Sequence, residues 1–172
     1  MSRNWLEELV AEYFKFQGYL VVTDEDLPMK RSKDRKISGH SDIDVLAINS
    51  KEIIHVECKN YWTESTNPKG KPIIKLIEQF KTSEGLIGKR YPFVKTNRFR
   101  RVLVTYDKPR ILQGVCKANG IELITISDLL DDFISKIEDF LKKEKGIVGK
   151  YESPITRLLI HMVDEEFLNS NV

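Results

Sequence analysis

Residues 38–60 read SGHSDIDVLAINSKEIIHVECKN, and they predict two short β-strands joined by a turn. Apolar and polar side chains alternate along residues 42–48, and residues 53–59 are rich in β-branched side chains, as is typical of strands. Residues 49–52 (NSKE) lie between them and are typical of turns. We therefore predict a β-hairpin, around which the other elements of the chain are arranged.

The predicted hairpin brings charged side chains together. A turn centred between residues 50 and 51 places Asp44 opposite Glu57, and Glu57 shares one face of its strand with Lys59. Directly opposed side chains lie roughly 5 Å apart, where like charges are destabilising. Two facing carboxylates in an apolar hairpin thus indicate a divalent cation, because Mg²⁺ takes oxygen ligands and is often held by one or two carboxylates.

Each of these residues also has an ordinary structural interpretation. Aspartate and glutamate are mostly exposed in proteins, and Lys59 could form a surface pair with Asp42 worth about 0.2–1 kcal/mol. The combination of Asp44 with Glu57-Cys58-Lys59, inside two strongly apolar strands, favours a functional site.

Asp44 followed by Glu57-Cys58-Lys59 resembles the D…ExK signature of the PD-(D/E)xK nucleases. Residues 39–45 (GHSDIDV) are similar to the G-x-x-[DE]-I-D-[LV] form of its first half. The likeness is strongest to archaeal Holliday-junction resolvases and Mrr-type restriction endonucleases. Over residues 1–126 it implies an α/β fold, with a restriction-endonuclease-like αβββαβ core and a mixed sheet flanked by helices. Residues 127–172 would then form a C-terminal helical extension.

The resemblance also implies metal-dependent hydrolysis of phosphodiester bonds in DNA. Asp44 and Glu57 would bind Mg²⁺ or Mn²⁺, with the backbone carbonyl of Cys58 as a further oxygen ligand. Lys59 would position the attacking water or stabilise the charge that grows on the phosphate. A glutamate on the preceding helix, Glu7 here, would complete the catalytic set.

Residues 4–17 predict this preceding helix, because apolar side chains recur with the helical period. Asn4 is suited to the N-cap, and Glu7 three residues later matches a capping box. Glu7 therefore has two interpretations, a cap or an outer carboxylate near Asp44. Glu8 is the second candidate for the carboxylate.

Basic residues concentrate in the part of the chain that resembles a nuclease. Residues 1–126 hold 22 Lys or Arg and 16 Asp or Glu, whereas residues 127–172 hold six and ten. A basic surface is typical of proteins that bind phosphate backbones. Runs of basic residues in this part of the chain could equally be solvated surface charge. Gln79, on a predicted helix over residues 73–87, would face the site, as a glutamine does in some members of the family. We predict contacts with DNA at Lys30, Arg31, Lys33, Arg35, Lys36, Gln79 and Arg98.

The rest of the sequence limits the class of protein. No apolar run approaches 18 residues and the start does not resemble a signal peptide, so we expect a cytoplasmic protein without a membrane span. Cys58 and Cys116 fit no metal-ligand spacing and are expected to be buried thiols. Helices predicted after Ser127 and Ser153 would pack on the core or form a dimer interface. For a junction-cutting enzyme, the resemblance implies a homodimer.

Two functions remain open from the sequence. The first is a DNA endonuclease, either structure-specific (junction-type) or restriction-type. The second is a DNA-binding module with a nuclease fold that does not cut alone, or a nuclease subunit that needs a partner. The presence of Asp44, Glu57 and Lys59 together favours the enzyme, but the sequence does not distinguish junctions, duplexes, flaps or single strands.

Overall fold

The computed structural model describes residues 4–28, 40–59, 71–92, 98–143, 153–165 and 167–168. The predicted DNA contacts at residues 30–36 lie outside these ranges. The elements in chain order are α1 (Trp5–Phe16), β1 (Leu20–Pro28), β2 (His40–Ile48), β3 (Ile53–Lys59), α2 (Lys71–Arg90), β4 (Phe99–Thr105), α3 (Arg110–Ala118), β5 (Ile121–Thr125), α4 (Ile126–Lys143) and α5 (Pro154–Asp164).

The five strands form one mixed sheet in the order β1-β2-β3-β4-β5. β2 is antiparallel to both β1 and β3, whereas β4 is parallel to both β3 and β5. The parallel strands are connected by α2 and α3, because a parallel connection must cross back over the sheet. The predicted restriction-endonuclease-like arrangement of a mixed sheet flanked by helices is confirmed.

The hairpin has the predicted register. Val45 pairs with Val56 and Ile48 with Ile53, so β2 and β3 are aligned about a turn at residues 49–52. The Asn49 side-chain oxygen accepts hydrogen bonds from the backbone N–H groups of Lys51 and Glu52, at 2.8 and 2.9 Å. This asparagine turn is local chemistry, which explains why the register could be predicted.

Helices cover both faces of the sheet. On one face, α1, α4 and α5 pack against a core that includes Val45 and Val56. On the other face, α2 and α3 pack against residues of β3, β4 and β5. The predicted alternation is wrong at Ile43, which packs with Leu46 and Ile87 on the α2 face rather than with Val45.

The physical reason is an irregularity in the strands around Asp44. The pairing of β2 with β3 ends at Val45, and Asp24 on β1, which lies level with Asp44, has a φ of +55°. That left-handed conformation is uncommon for a non-glycine residue and breaks the regular pleat. Ile43 and Val45 consequently point to different faces, on either side of Asp44.

Three predicted boundaries are corrected by the structure. β1 continues to Pro28, although the polar residues 24–38 are typical of a loop, because β2 supplies pairing partners as far as residue 40. α2 continues through Gly88 to Arg90, since the buried Ile87 anchors its last turn against the sheet. The cap of α4 is Thr125 rather than Ser127: Thr125 Oγ1 accepts from the N–H of Asp128, and Asp128 Oδ2 accepts from the N–H of Thr125.

The C-terminal helices pack against α1. The ring of Phe133 on α4 lies edge-on to Tyr13, and the Thr156 hydroxyl on α5 donates to Glu12 at 3.0 Å in a buried contact. Among the described residues, no helix is long and apolar enough to cross a membrane. The division of the chain into residues 1–126 and 127–172 stays a prediction.

Glu52, at the end of the hairpin turn, should contribute pH-dependent stability. Its carboxylate accepts a hydrogen bond from the Tyr19 hydroxyl at 2.5 Å and pairs with Arg98 and Arg100. Burial alone would raise the pKa of Glu52, but Tyr19 and the two guanidinium groups outweigh burial and lower it. We expect Glu52→Gln to lower the free energy of unfolding at pH 7 by about 1–3 kcal/mol.

The sign of the pH dependence follows from the lowered pKa. Stability from a carboxylate of this kind is present above its ordinary value of 4.5 and is lost as the pH falls through the lower, folded-state value. Urea unfolding of Glu52→Gln and the unmutated protein should therefore give a difference at pH 7 that shrinks at pH 3. The control is Glu122→Gln, because Glu122 also pairs with Arg100 but is half-exposed. An equal difference at both pH values would contradict the prediction.

Candidate active site

The charged residues of the hairpin meet where β3 ends. β4 is parallel to β3 on one side and places Thr105 level with Lys59, while β2 on the other side carries Asp44. β3 is buried along its whole length except at Lys59, which is 39% exposed in its side chain. The sheet therefore holds a nearly buried acidic pair beside one cation that reaches solvent.

Lys59 lies between the two carboxylates. Its ammonium nitrogen is 3.1 Å from Asp44 Oδ2 and 3.2 Å from Glu57 Oε2. The Glu57 side chain is only 1% exposed, and that of Asp44 is 17% exposed. The structure thus brings together three of the four predicted catalytic residues, and the surface pair of Lys59 with Asp42 is replaced by these contacts.

The backbone of β3 holds Asp44 in place. The N–H of Cys58, which lies beyond the last pair of β2 with β3, donates to Asp44 Oδ2 at 2.7 Å. Burial and the charge of Glu57 raise the pKa of Asp44, against the opposing effects of Lys59 and this N–H. For Lys59, burial alone would lower the pKa, but Glu57 and Asp44 outweigh it and raise the pKa. Lys59 is therefore a cation at neutral pH.

Two further side chains hold the other oxygen of Glu57. Glu57 Oε1 lies 2.8 Å from His55 Nε2 and accepts a hydrogen bond from Gln79 Nε2 at 2.8 Å. The Gln79 amide also donates to the backbone carbonyl of Asp42 at 2.9 Å, so it links β2, β3 and α2. Gln79 faces the site as expected from the sequence, whereas its contact with DNA stays a prediction. His55 was not predicted, because nothing in the hairpin sequence distinguishes it from any polar residue of an alternating strand.

Glu7 lies close enough to the site for its charge to interact with Asp44. Burial is the largest of the effects that raise the pKa of Glu7, and the charges of Asp44 and Asp24 raise it further. The backbone N–H of Asn4 lowers it. Asn4 Oδ1 accepts from the N–H of Leu6 at 3.2 Å, which confirms the predicted N-cap. Within the described residues, no hydrogen bond or ion pair joins Glu7 to Asp44, Glu57 or Lys59. Both interpretations of Glu7 therefore have physical support.

This chain carries the sequence pattern of a known family. The family model for NERD, the nuclease-related domain, matches residues 2–112, which include α1, the hairpin and α2. The chain belongs to the NERD family. NERD domains are part of the restriction-endonuclease-like PD-(D/E)xK superfamily, as the residues of the hairpin implied.

Two further comparisons add little to this assignment. A search of curated proteins found no match to this NERD chain. A solved structure titled "Crystal Structure of Protein of Unknown Function AF1548" aligns at 14% identity and a TM-score of 0.45, covering 95% of this chain and 98% of that chain. A similarity at this level carries no argument about function. A particular closeness to Holliday-junction resolvases or Mrr enzymes is not confirmed.

Some predicted residues of the NERD domain lie away from the site. Arg98 lies at the opposite end of β3 from Lys59, where its carbonyl accepts from Ile53 and its side chain pairs with Glu52 at 3.1 Å. The Cys58 thiol points into the core on the α1 face, as predicted, and burial raises its pKa well above the ordinary thiol value. Coordination by the Cys58 backbone carbonyl stays a prediction.

The oxygen donors at the site fit a small, hard cation. Asp44 and Glu57 both contact the ammonium of Lys59, so one positive charge can be within reach of both carboxylates. Across the described part of the chain, no group of three or more His, Cys, Asp or Glu side chains could hold a metal ion by itself. Mg²⁺ does not need such a group, because it is commonly held by one or two carboxylates together with waters and substrate phosphates.

Proposed function

We propose that this NERD domain is a metal-dependent DNA endonuclease that hydrolyses phosphodiester bonds. The observation that carries the proposal is the position of Lys59 Nζ, at 3.1 and 3.2 Å from the carboxylates of Asp44 and Glu57. Membership of the nuclease-related family and the basic balance of residues 1–126 support a nucleic-acid substrate. Within this function, a structure-specific or a restriction-type substrate is the finer proposal.

Asp44 and Glu57 are the residues that would hold Mg²⁺ or Mn²⁺. Their carboxylates are mostly buried, so their charges are weakly screened by water and attract a cation strongly. When bound, the metal would act as a Lewis acid that lowers the pKa of water and offsets the negative charge of the phosphate. The carbonyl of Cys58 is the proposed third oxygen ligand from the protein.

Lys59 would act on the phosphate. Its side chain is partly exposed and a lysine ammonium is protonated at neutral pH, so it can donate to a phosphate oxygen or to the attacking water. A cation at this position stabilises the negative charge that develops as the phosphodiester bond breaks. Glu7, on the adjacent α1, would act as an outer carboxylate through a water molecule.

Cleavage of a panel of labelled DNAs tests the proposal. The panel contains a four-way junction, plain duplex, methylated duplex, a flap and a single strand, each with Mg²⁺, Mn²⁺ or EDTA. We expect cleavage of at least one substrate with metal, none in EDTA, and none by Asp44→Asn. The preferred substrate would distinguish junction-type from restriction-type activity.

The same panel tests the alternative function. Binding of DNA in EDTA without cleavage in any metal would favour a DNA-binding module, or a subunit that needs a partner. Cleavage by Asp44→Asn at the rate of the unmutated protein would remove Asp44 from the catalytic set. Size measurement by light scattering, with and without the preferred DNA, tests the proposed homodimer.

A further inference from the structure

Two buried polar side chains behind Glu57 have no role in the proposed chemistry. His55 on β3 is 0% exposed and Ser83 on α2 is 1% exposed, and His55 Nδ1 lies 2.7 Å from Ser83 Oγ. The ring of Phe80 packs on the imidazole at a centroid distance of 4.5 Å. Burying polar groups costs free energy unless they are hydrogen-bonded, and an apolar pair would fill this space without that cost. The burial of this polar pair behind Glu57 therefore indicates a function.

The hydrogen bonds determine which nitrogen of His55 carries the proton. A carboxylate only accepts, so the 2.8 Å contact with Glu57 Oε1 requires a proton on His55 Nε2. His55 Nδ1 lies 2.7 Å from Ser83 Oγ, so this hydroxyl holds the other side of the ring. Ser83 Oγ in turn donates to the Phe80 carbonyl at 3.0 Å.

The same contacts distinguish the two oxygens of Glu57. Oε1 accepts from both His55 and Gln79, whereas the donor at Oε2 is Lys59, which also contacts Asp44. Because two donors occupy Oε1, Oε2 is the oxygen on the side of Asp44, where both carboxylates contact the Lys59 ammonium. A carboxylate held in this way can bind a cation only through one oxygen.

We propose that His55, held by Ser83, is a positioning residue that orients Glu57 to bind a divalent cation through Oε2 alone. This inference rests on the proposed metal-dependent function and adds a residue to its site. His55 does not reach the substrate; it acts through Glu57. Hydrogen-bond partners of metal-binding carboxylates typically change metal affinity by about 10–100-fold when they are removed.

Direct binding of Mn²⁺ to the full chain, without DNA, tests the proposal. Isothermal titration calorimetry should show that His55→Leu, which keeps the volume apolar but removes the donor, weakens Mn²⁺ binding about 10–100-fold. His55→Gln should stay within about threefold, because its amide nitrogen can replace Nε2 as donor to Glu57 Oε1. Phe80→Leu is the matched control, since it disturbs packing on the imidazole without removing a donor.

The outcomes separate this inference from the proposed function. If the unmutated protein does not bind Mn²⁺, the inference about His55 fails, whereas the cleavage panel decides the proposed function. If it binds Mn²⁺ and Glu57→Gln does not, but His55→Leu binds as well as the unmutated protein, only the role of His55 is overturned. Equal loss in His55→Leu, His55→Gln and Phe80→Leu would show that His55 acts only through packing.

A second measurement reads the proton on His55 in the unmutated protein and does not depend on metal binding by the variants. The chain has three histidines, so a long-range ¹H–¹⁵N spectrum of the unmutated protein can be assigned by comparison with His55→Gln. We expect His55 to show a protonated Nε2. The opposite tautomer would overturn the proposal, because Nε2 could not then donate to Glu57.

Discussion

Replacing Glu57 by glutamine should reduce cleavage of the preferred DNA by about 10³-fold or more, which corresponds to roughly 4 kcal/mol of transition-state stabilisation. The carboxylate accepts from His55 and Gln79 through Oε1 and from Lys59 through Oε2. An amide has one oxygen, so its NH₂ group must face donors on one side. Glu57→Gln therefore removes a negative charge and also places donor against donor in a buried site.

Single-turnover cleavage under saturating metal measures this effect. Glu78→Gln is the matched control, because Glu78 is exposed and adjoins Gln79 on the same helix without facing the site. Circular dichroism and thermal unfolding should confirm that both variants fold. A Glu57→Gln variant that is folded and cleaves at a rate close to that of the control would show that Glu57 is not part of the catalytic set.

Replacing Phe133 by alanine should lower the free energy of unfolding by about 3–5 kcal/mol, as is usual for a large aromatic side chain removed from a core. Phe133 is 0% exposed and its ring packs on Tyr13 and Phe16 of α1. The cavity would lie between α4 and α1, the helix that carries Glu7. The change should therefore weaken the core of the nuclease fold and not the C-terminal extension alone.

Urea unfolding followed by tryptophan fluorescence and by circular dichroism measures this effect. We expect one transition by both signals, shifted to lower urea in Phe133→Ala. Phe167→Ala is the control, because that ring is 74% exposed and its removal should change stability little. If Phe133→Ala shifted the circular dichroism transition but left the transition in the fluorescence of Trp5 and Trp62 unchanged, residues 127–172 would unfold separately from the part of the chain that carries both tryptophans.

Much of the site could be predicted because its spacing is local. Asp44 and Glu57 belong to one hairpin, and the asparagine turn that aligns the strands lies between them. The mixed sheet flanked by helices was also predictable, through the resemblance of the hairpin residues to the PD-(D/E)xK nucleases. The confirmed N-cap at Asn4 and the cap at Ser153, whose oxygen accepts from Thr156, follow from the same local chemistry.

The errors arise where contacts between distant segments change local preferences. Gly88 favours an end to α2, but the burial of Ile87 extends the helix to Arg90. Polar residues after Thr23 are typical of a loop, but the neighbouring β2 supplies backbone partners that extend β1 to Pro28. The stabilisation that a segment gains by pairing with another strand cannot be predicted from the residues of that segment alone.

The sequence by itself determined the hairpin register and the grouping of Asp44, Glu57 and Lys59, because these follow from alternation and short-range turn chemistry. The mixed sheet was implied by the resemblance of these residues to the PD-(D/E)xK nucleases. Only the tertiary structure decided that Gln79 and His55 share one oxygen of Glu57, and that Ser83 supports His55 from α2. The Gln79–Glu57 and Ser83–His55 contacts join residues 22 and 28 positions apart, which no local pattern brings together. Their geometry depends on how α2 packs on the sheet, which is a property of the folded core as a whole.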